Sequence, residues 1–113
     1  MSEIISYEDF EKVQLISGTI VNVEEFPRAK KPAFKVWADF GPVFGILQTS
    51  AQITVNYKPE TLIGKHIVGC INLGEKNIAG FISQFLLVGV SDESGNICLL
   101  TPDRPVPSGN KLH

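Results

Sequence analysis

Phe34-Lys35-Val36-Trp37-Ala38-Asp39-Phe40 alternates without a fault, with Phe34, Val36, Ala38 and Phe40 on one side of an extended chain and Lys35, Trp37 and Asp39 on the other. This is the pattern of a strand with one face on a core and the other toward water. Gly41-Pro42 suits a tight turn, so Val43 to Gln48 reads as the returning strand of a hairpin. Upstream, Leu15 to Val23 is β-branched and alternating, and Gly18 in mid-run predicts a bulge or a sharp coil. Three consecutive strands therefore meander around one apolar row.

Working outward, Ser6 to Val13 predicts a short helix, with Ser6 as its cap, Asp9 at its positive end, and Phe10 and Val13 turned inward. The segment Thr49 to Tyr57 lacks strand alternation and ends near Pro59, which predicts a short helix or turn capped by Thr49 or Ser50. Ile67 to Leu73, Phe85 to Val90 and Ile97 to Leu100 read as strands, the last following the turn Asp92 to Asn96. Three of the seven prolines fall within Thr101 to Gly109, so this tail runs extended, either tying down the chain ends or crossing to a partner. The expected fold is all-β: a five-stranded Greek-key barrel of the OB type over residues 1–113, with a short N-terminal helix and an extended C-terminal arm.

With 113 residues, 43% hydrophobic and 19% charged, the chain is sized and composed for one ordinary domain. No run approaches the roughly 20 apolar residues of a membrane span, and the start has no basic segment before an apolar one, so a cytoplasmic location is expected. Cys70 and Cys98 lie in apolar runs far from any zinc spacing and read as buried thiols. His66 and His113 gather no ligands around them, and neither a metal nor a cofactor is expected. There is no phosphate-loop motif and no nucleophile with a base beside it. Glu24 and Glu25 point to opposite faces of a strand and read as solvated. No catalytic residue, and hence no enzyme, is expected.

The charge distribution is more informative than the net of −2. Residues 1–25 carry a net of −5, whereas residues 28–35 hold Arg28, Lys30, Lys31 and Lys35 with no acid. A cluster of this kind reads either as a solvated loop or as a local phosphate attractor, since screening confines its field to about 8 Å. It leads straight into the strand that displays Lys35 and Trp37 together. OB barrels bind nucleic acid with cations for the backbone and aromatics for stacking. Trp37 is thus a candidate stacking plane, or else cover for a second apolar layer or a dimer contact. If all four cations met phosphates, the log–log salt slope would be about −3 per subunit, roughly a 50-fold loss between 50 and 200 mM salt. A second reading, from a different class, is a groove for extended polypeptide lined by Phe44, Leu47 and Phe85, should they face outward; the same three residues also suit a core.

Beyond these readings, the chain resembles the CsaA family, small relatives of the tRNA-binding domain at the carboxyl end of methionyl-tRNA synthetases. Tyr7-Glu-Asp-Phe10, Gly18-Thr-Ile20, Pro27-Arg-Ala-Lys-Lys-Pro32, Asp39-Phe-Gly41, Thr49-Ser-Ala-Gln-Ile53, Tyr57, Leu62-Ile-Gly-Lys65, Asn72-Leu73, Ile78-Ala-Gly-Phe81, Ser83 and Leu99 to Pro107 carry the resemblance. It implies an OB barrel, a homodimer built through the terminal extensions, no enzymatic activity, tRNA binding, and an export-related chaperone activity toward unfolded polypeptide. It assigns the RNA-facing positions to Arg28, Lys30, Lys31, Lys35, Asn72 and Ser83, with Lys76 in the adjoining stretch. Leu47 replaces the family's usual arginine, Gln84 its usual glutamate, and Gly74 to Asn77 is less basic than the usual stretch, which removes cations from the expected interface.

Overall fold

The computed structural model describes residues 3–113. In chain order these form α1 (Tyr7–Lys12), β1 (Leu15–Glu25), β2 (Phe34–Asp39), α2 (Gly41–Phe44), β3 (Ile46–Ala51), α3 (Pro59–Leu62), β4 (His66–Cys70), β5 (Lys76–Ile78), β6 (Phe81–Ser83), β7 (Leu86–Leu87), β8 (Gly89–Ser91) and β9 (Ile97–Leu99). The alternation in β2 is realised as read: Phe34, Val36, Ala38 and the following Phe40 are at most 3% exposed, while Lys35, Trp37 and Asp39 are half-buried on the outer side.

Eleven residues long, β1 serves both halves of the barrel. Its later part pairs antiparallel with β2, Thr19 opposite Asp39 through Glu25 opposite Phe34, and its first part pairs antiparallel with β4, Leu15 opposite Cys70 through Thr19 opposite His66. The order β3-β2-β1-β4-β7 is almost closed into a barrel, because the segment around β7 returns to β3. There, Gln84 N–H donates to the Gln48 carbonyl at 2.8 Å and Thr49 Oγ1 donates to the Phe85 carbonyl at 2.6 Å. This is the expected OB-type barrel.

The bulge in β1 is not at Gly18. The register slips between Ile20 and Asn22, at Val21. Gly18 instead makes room for a ring: a Cβ there would lie 2.8 Å from the Phe40 side chain, and one on Gly69 in β4 would lie 2.6 Å from it. The two glycines form the bed of Phe40, which meets Phe85 edge-on at 4.8 Å.

Several local expectations are corrected. Gly41-Pro42 begins the single helical turn α2 rather than a bare turn, because Asp39 Oδ1 accepts from the Gly41 N–H at 2.8 Å and Gly45 closes it at φ +73°. Thr49 and Ser50 do not cap a helix; they belong to β3, opposite Val36 and Lys35. The helical turn falls later, at α3, whose Leu62 is fully buried. In α1, Ser6 caps as expected and its Oγ accepts from Asp9 N–H at 3.1 Å, but Phe10 is only half-buried and Val13 is 41% exposed. The run Phe85 to Val90 is split into β7 and β8, and Ile67 to Leu73 ends as a strand at Cys70. Residues 76–83, read as a connection, form the β5–β6 hairpin, whose turn residues Ala79 and Gly80 both have positive φ, +49° and +87°. Cys70 is buried but Cys98 is only half-buried; both thiols are free.

The C-terminal arm docks on its own barrel. Ser17 N–H donates to Asn110 O, Gly109 N–H to Ser17 O and Leu112 N–H to Leu15 O, each at 2.8 Å, and Ser17 Oγ donates to Pro107 O at 2.8 Å. It thereby covers the edge of β1 that β2 leaves unpaired before Thr19. Asp92 holds the β8–β9 turn, its Oδ1 accepting from the N–H groups of Ser94 and Asn96. Its carboxyl sits below the usual value, first because Asn56 Nδ2 donates to it and next because of the N–H groups of Asn96, Ser94 and Gly95.

Candidate nucleic-acid interface

The loop after β1 is anchored by Phe26, which is buried and whose carbonyl accepts from Ala29 N–H at 3.2 Å. Prolines at 27 and 32 bracket it, and Arg28, Lys30 and Lys31 between them are exposed. Facing the loop is the tip of the β5–β6 hairpin. Between them runs a groove of about 480 Å³ with Arg28, Lys30 and Lys31 on one wall, Asn77, Ile78 and Ala79 on the other, and Ser50 and Gln52 in its floor. No carboxylate lines it. Among the described residues the ion pair found is Lys12 with Asp9, on the exposed helix α1, so none of the three loop cations is tied into one; Glu25 lies across a neighbouring recess from Lys30, outside the groove. Positive charge outside any ion pair beside a concave wall is a site for an anion, and its spread over three side chains suits a polyanion better than a single carboxylate.

Lys35 stands apart from this trio. Its Nζ lies 5.0 Å from the centre of the Phe26 ring and 5.2 Å from that of Phe81, so the ammonium is held between two aromatic faces. Trp37 is likewise occupied. Its ring is nearly perpendicular to Phe81 at 5.8 Å, and its Nε1 donates to Gln48 Oε1 at 3.2 Å. Gln48 Nε2 in turn donates to the Ile82 carbonyl at 2.8 Å. Trp37, Phe81 and Phe26, with Lys35 among them, fasten the β5–β6 hairpin to the outer face of β2 and so set the width of the groove. Phe26 and Phe81 were missed in the sequence because only the tertiary fold brings them to Lys35.

The remaining candidates divide. Lys76 is exposed at the start of β5, next to the groove. Ser83 Oγ accepts from Ser50 N–H at 2.8 Å and lies 3.1 Å from Thr49 Oγ1, so it secures the hairpin to β3. Gln84 acts in a similar way, its Oε1 accepting from Gln48 N–H at 3.1 Å. Asn72 clamps α1 to the end of β4: Oδ1 accepts from Gln14 N–H at 2.9 Å and Nδ2 donates to the Lys12 carbonyl at 2.7 Å. Asn72→Ala is expected to lower stability by about 1–2 kcal/mol in a denaturant titration and to leave affinity for nucleic acid unchanged; lost affinity at full stability would return Asn72 to the interface.

The apolar trio does not face outward. Phe85 is buried against Phe40, and Phe44 and Leu47 are half-buried against the same core cluster. Leu47 stands opposite the core-facing Ala38 in the β2–β3 register and so takes the same side of the sheet, while Phe44 ends α2 against the core. Among the described residues no group of three His, Cys, Asp or Glu side chains gathers as a metal would require, and no helix is long and apolar enough to cross a membrane.

Fold and groove together define a small OB-type barrel with one basic, acid-free groove beside its second and third strands. The chain belongs to the family described as "Putative tRNA binding domain", which matches residues 15–111. Among solved structures it is similar to the CsaA chaperone protein from Picrophilus torridus, at 43% identity and a TM-score of 0.90 over 97% of this chain and all of that one. It is also similar to chaperone CsaA from Bacillus anthracis, at 41% identity and a TM-score of 0.91 over 98% of this chain and all of that one. Among curated relatives, the methionine–tRNA ligase of Methanocaldococcus jannaschii is 34% identical over 108 residues, which is 96% of this chain. The chain spans only 16% of that enzyme's length.

Proposed function

We propose that the protein is a non-catalytic tRNA-binding module that grips structured RNA by its phosphates, with Arg28, Lys30 and Lys31 as the contacting cations. The observation that carries this reading is the acid-free groove between the basic loop and the β5–β6 hairpin. Membership of the tRNA-binding-domain family and the likeness to methionine–tRNA ligases support it. Phosphate contacts of this kind select by the shape and charge of a folded RNA and not by base sequence. Lys35 and Trp37 act one step back, holding the hairpin that forms the far wall. A cytoplasmic setting accords with that ligand. The test is a filter-binding titration with tRNA across salt concentrations: binding that weakens steeply with salt is expected, and salt-insensitive binding or none would remove the reading.

A homodimer forms part of the proposal. Ile4, Ile5 and Tyr7 are at least 63% exposed before and within α1. A concavity of about 580 Å³ lies where the C-terminal arm crosses Leu15 and Val68. Apolar surface of this kind at both chain ends suits burial against a second copy. Two copies would place two grooves on one RNA and raise its affinity through effective concentration. A monomer mass in gel filtration would exclude this. An export-related chaperone activity toward unfolded polypeptide is the second reading, favoured by the likeness to two proteins described as chaperones. It is checked by suppression of client aggregation at stoichiometric protein.

A further inference from the structure

The basic groove does not end at the hairpin tip. Ser50, Gln52 and Ile78, which line it, also line a second recess of about 480 Å³ on the other side of β5. The recess is walled by Leu73 and Leu86, which are open to water at 66% and 54% exposure, with only the edge of the buried Phe85 reaching its base. Polar groups at the junction are of two kinds. Thr49 and Ser83 are tied into internal hydrogen bonds, whereas the Gln52 amide and the Ser50 hydroxyl form none among the described residues. Cations, free amide and apolar walls thus succeed one another across two adjoining recesses that share Ser50, Gln52 and Ile78.

We propose that this recess receives the unpaired base of an RNA nucleotide whose phosphate rests on Arg28, Lys30 and Lys31; the inference rests on the RNA reading above and adds the single-stranded feature it selects. A nucleotide has the matching sequence of parts: an anionic end, then a flat ring with apolar faces and a polar edge. A base within a duplex hides its faces in the stack, so only an unpaired one can offer them to leucine side chains. Gln52 and Ser50 lie where the polar edge would pass. Glu75 and Lys76 on the far rim cancel each other in charge, so the positive potential is concentrated at the Arg28 end and orients the phosphate there. An apolar residue of a peptide would fill the recess too, but would leave the three adjoining cations without a counterpart.

The experiment compares three probes on the full chain: tRNA, an unstructured uridine or adenosine hexanucleotide, and a blunt, fully paired RNA duplex. The double variant Leu73→Ser/Leu86→Ser alters two exposed side chains. It is expected to lose about tenfold or more in affinity for the hexanucleotide, with duplex affinity and the salt slope unchanged. Gln52→Ala, a milder change, is expected to alter the preference between uridine and adenosine hexamers at constant salt slope. Salt-dependent tRNA binding by the wild type with hexanucleotide affinity untouched in both variants would keep the groove and overturn the recess. Loss of client protection with RNA affinity intact would assign the recess to an apolar peptide and overturn it as well. Wild-type protein that binds none of the three probes would sink the RNA reading and this inference together.

Discussion

Replacing Arg28, Lys30 and Lys31 together with alanine is expected to lower tRNA affinity on the order of a hundredfold at 0.1 M salt. Each phosphate neutralised contributes about −0.7 to −0.9 to the log–log slope, so three cations supply about −2.4 per subunit. Carried from 1 M to 0.1 M, that slope is the source of the expected loss. Three is the right number because Lys35, counted with them in the sequence, has its ammonium between Phe26 and Phe81. The wild type should therefore lose roughly 20- to 40-fold in affinity between 50 and 200 mM salt, and the variant should show almost no such dependence on account of this groove. All three side chains are exposed and form no ion pair among the described residues, so the melting temperature should not move. Filter binding at four or five salt concentrations measures both quantities. A variant with the wild-type slope would show that the RNA lies elsewhere.

The largest stability effect is expected at Phe40. The side chain is fully buried, lies over Gly18 and Gly69, and packs edge-on against Phe85. Phe40→Ala removes a ring that no neighbour can replace, because the glycines beneath it have no side chains to collapse inward, and should cost about 3–5 kcal/mol in a denaturant titration. The reciprocal change is overpacking. Gly69→Ala would set a Cβ 2.6 Å from Cζ of Phe40 and 3.0 Å from Cδ2 of Phe85, an approach that needs the rings to shift, and should cost about 1–3 kcal/mol. In a Phe40→Leu background the same Gly69→Ala should cost less, since the clashing ring atoms are gone, giving a measurable coupling in a double-mutant cycle. Additive costs would show that the ring does not rest on Gly69.

Some of the interface was legible along the chain because it is local. Arg28, Lys30 and Lys31 are close neighbours bracketed by prolines, and a loop of that composition must be solvated and basic wherever it lands. The opposite wall was not legible. Residues 76–83 carry no Asn-Gly or Asp-Gly pair to announce a hairpin, and their turn uses Ala79 at positive φ, held by the bond from Gly80 N–H to Asn77 Oδ1. That hairpin persists because Gln48, Ser83 and the Trp37–Phe81 contact fix it to the barrel, and such contacts join residues more than 30 positions apart. The same distance explains the misplaced residues. Asn72 and Ser83 are polar and look available in one dimension, yet both are engaged in internal hydrogen bonds.

By itself the amino-acid order determined the features that period and composition control: the β2 alternation, the apolar row from Phe34 to Phe40, the capped helix at Ser6, the extended arm and the basic loop. These depend on the geometry of one strand, one helical turn or one loop, and need no distant partner. Only the tertiary structure decided which polar groups remain free, where the β1 bulge falls, what Lys35 and Trp37 touch, and that Phe85 turns inward. Each of those outcomes is a competition between water and a partner supplied by another part of the chain, and closure of the barrel is what brings that partner within reach.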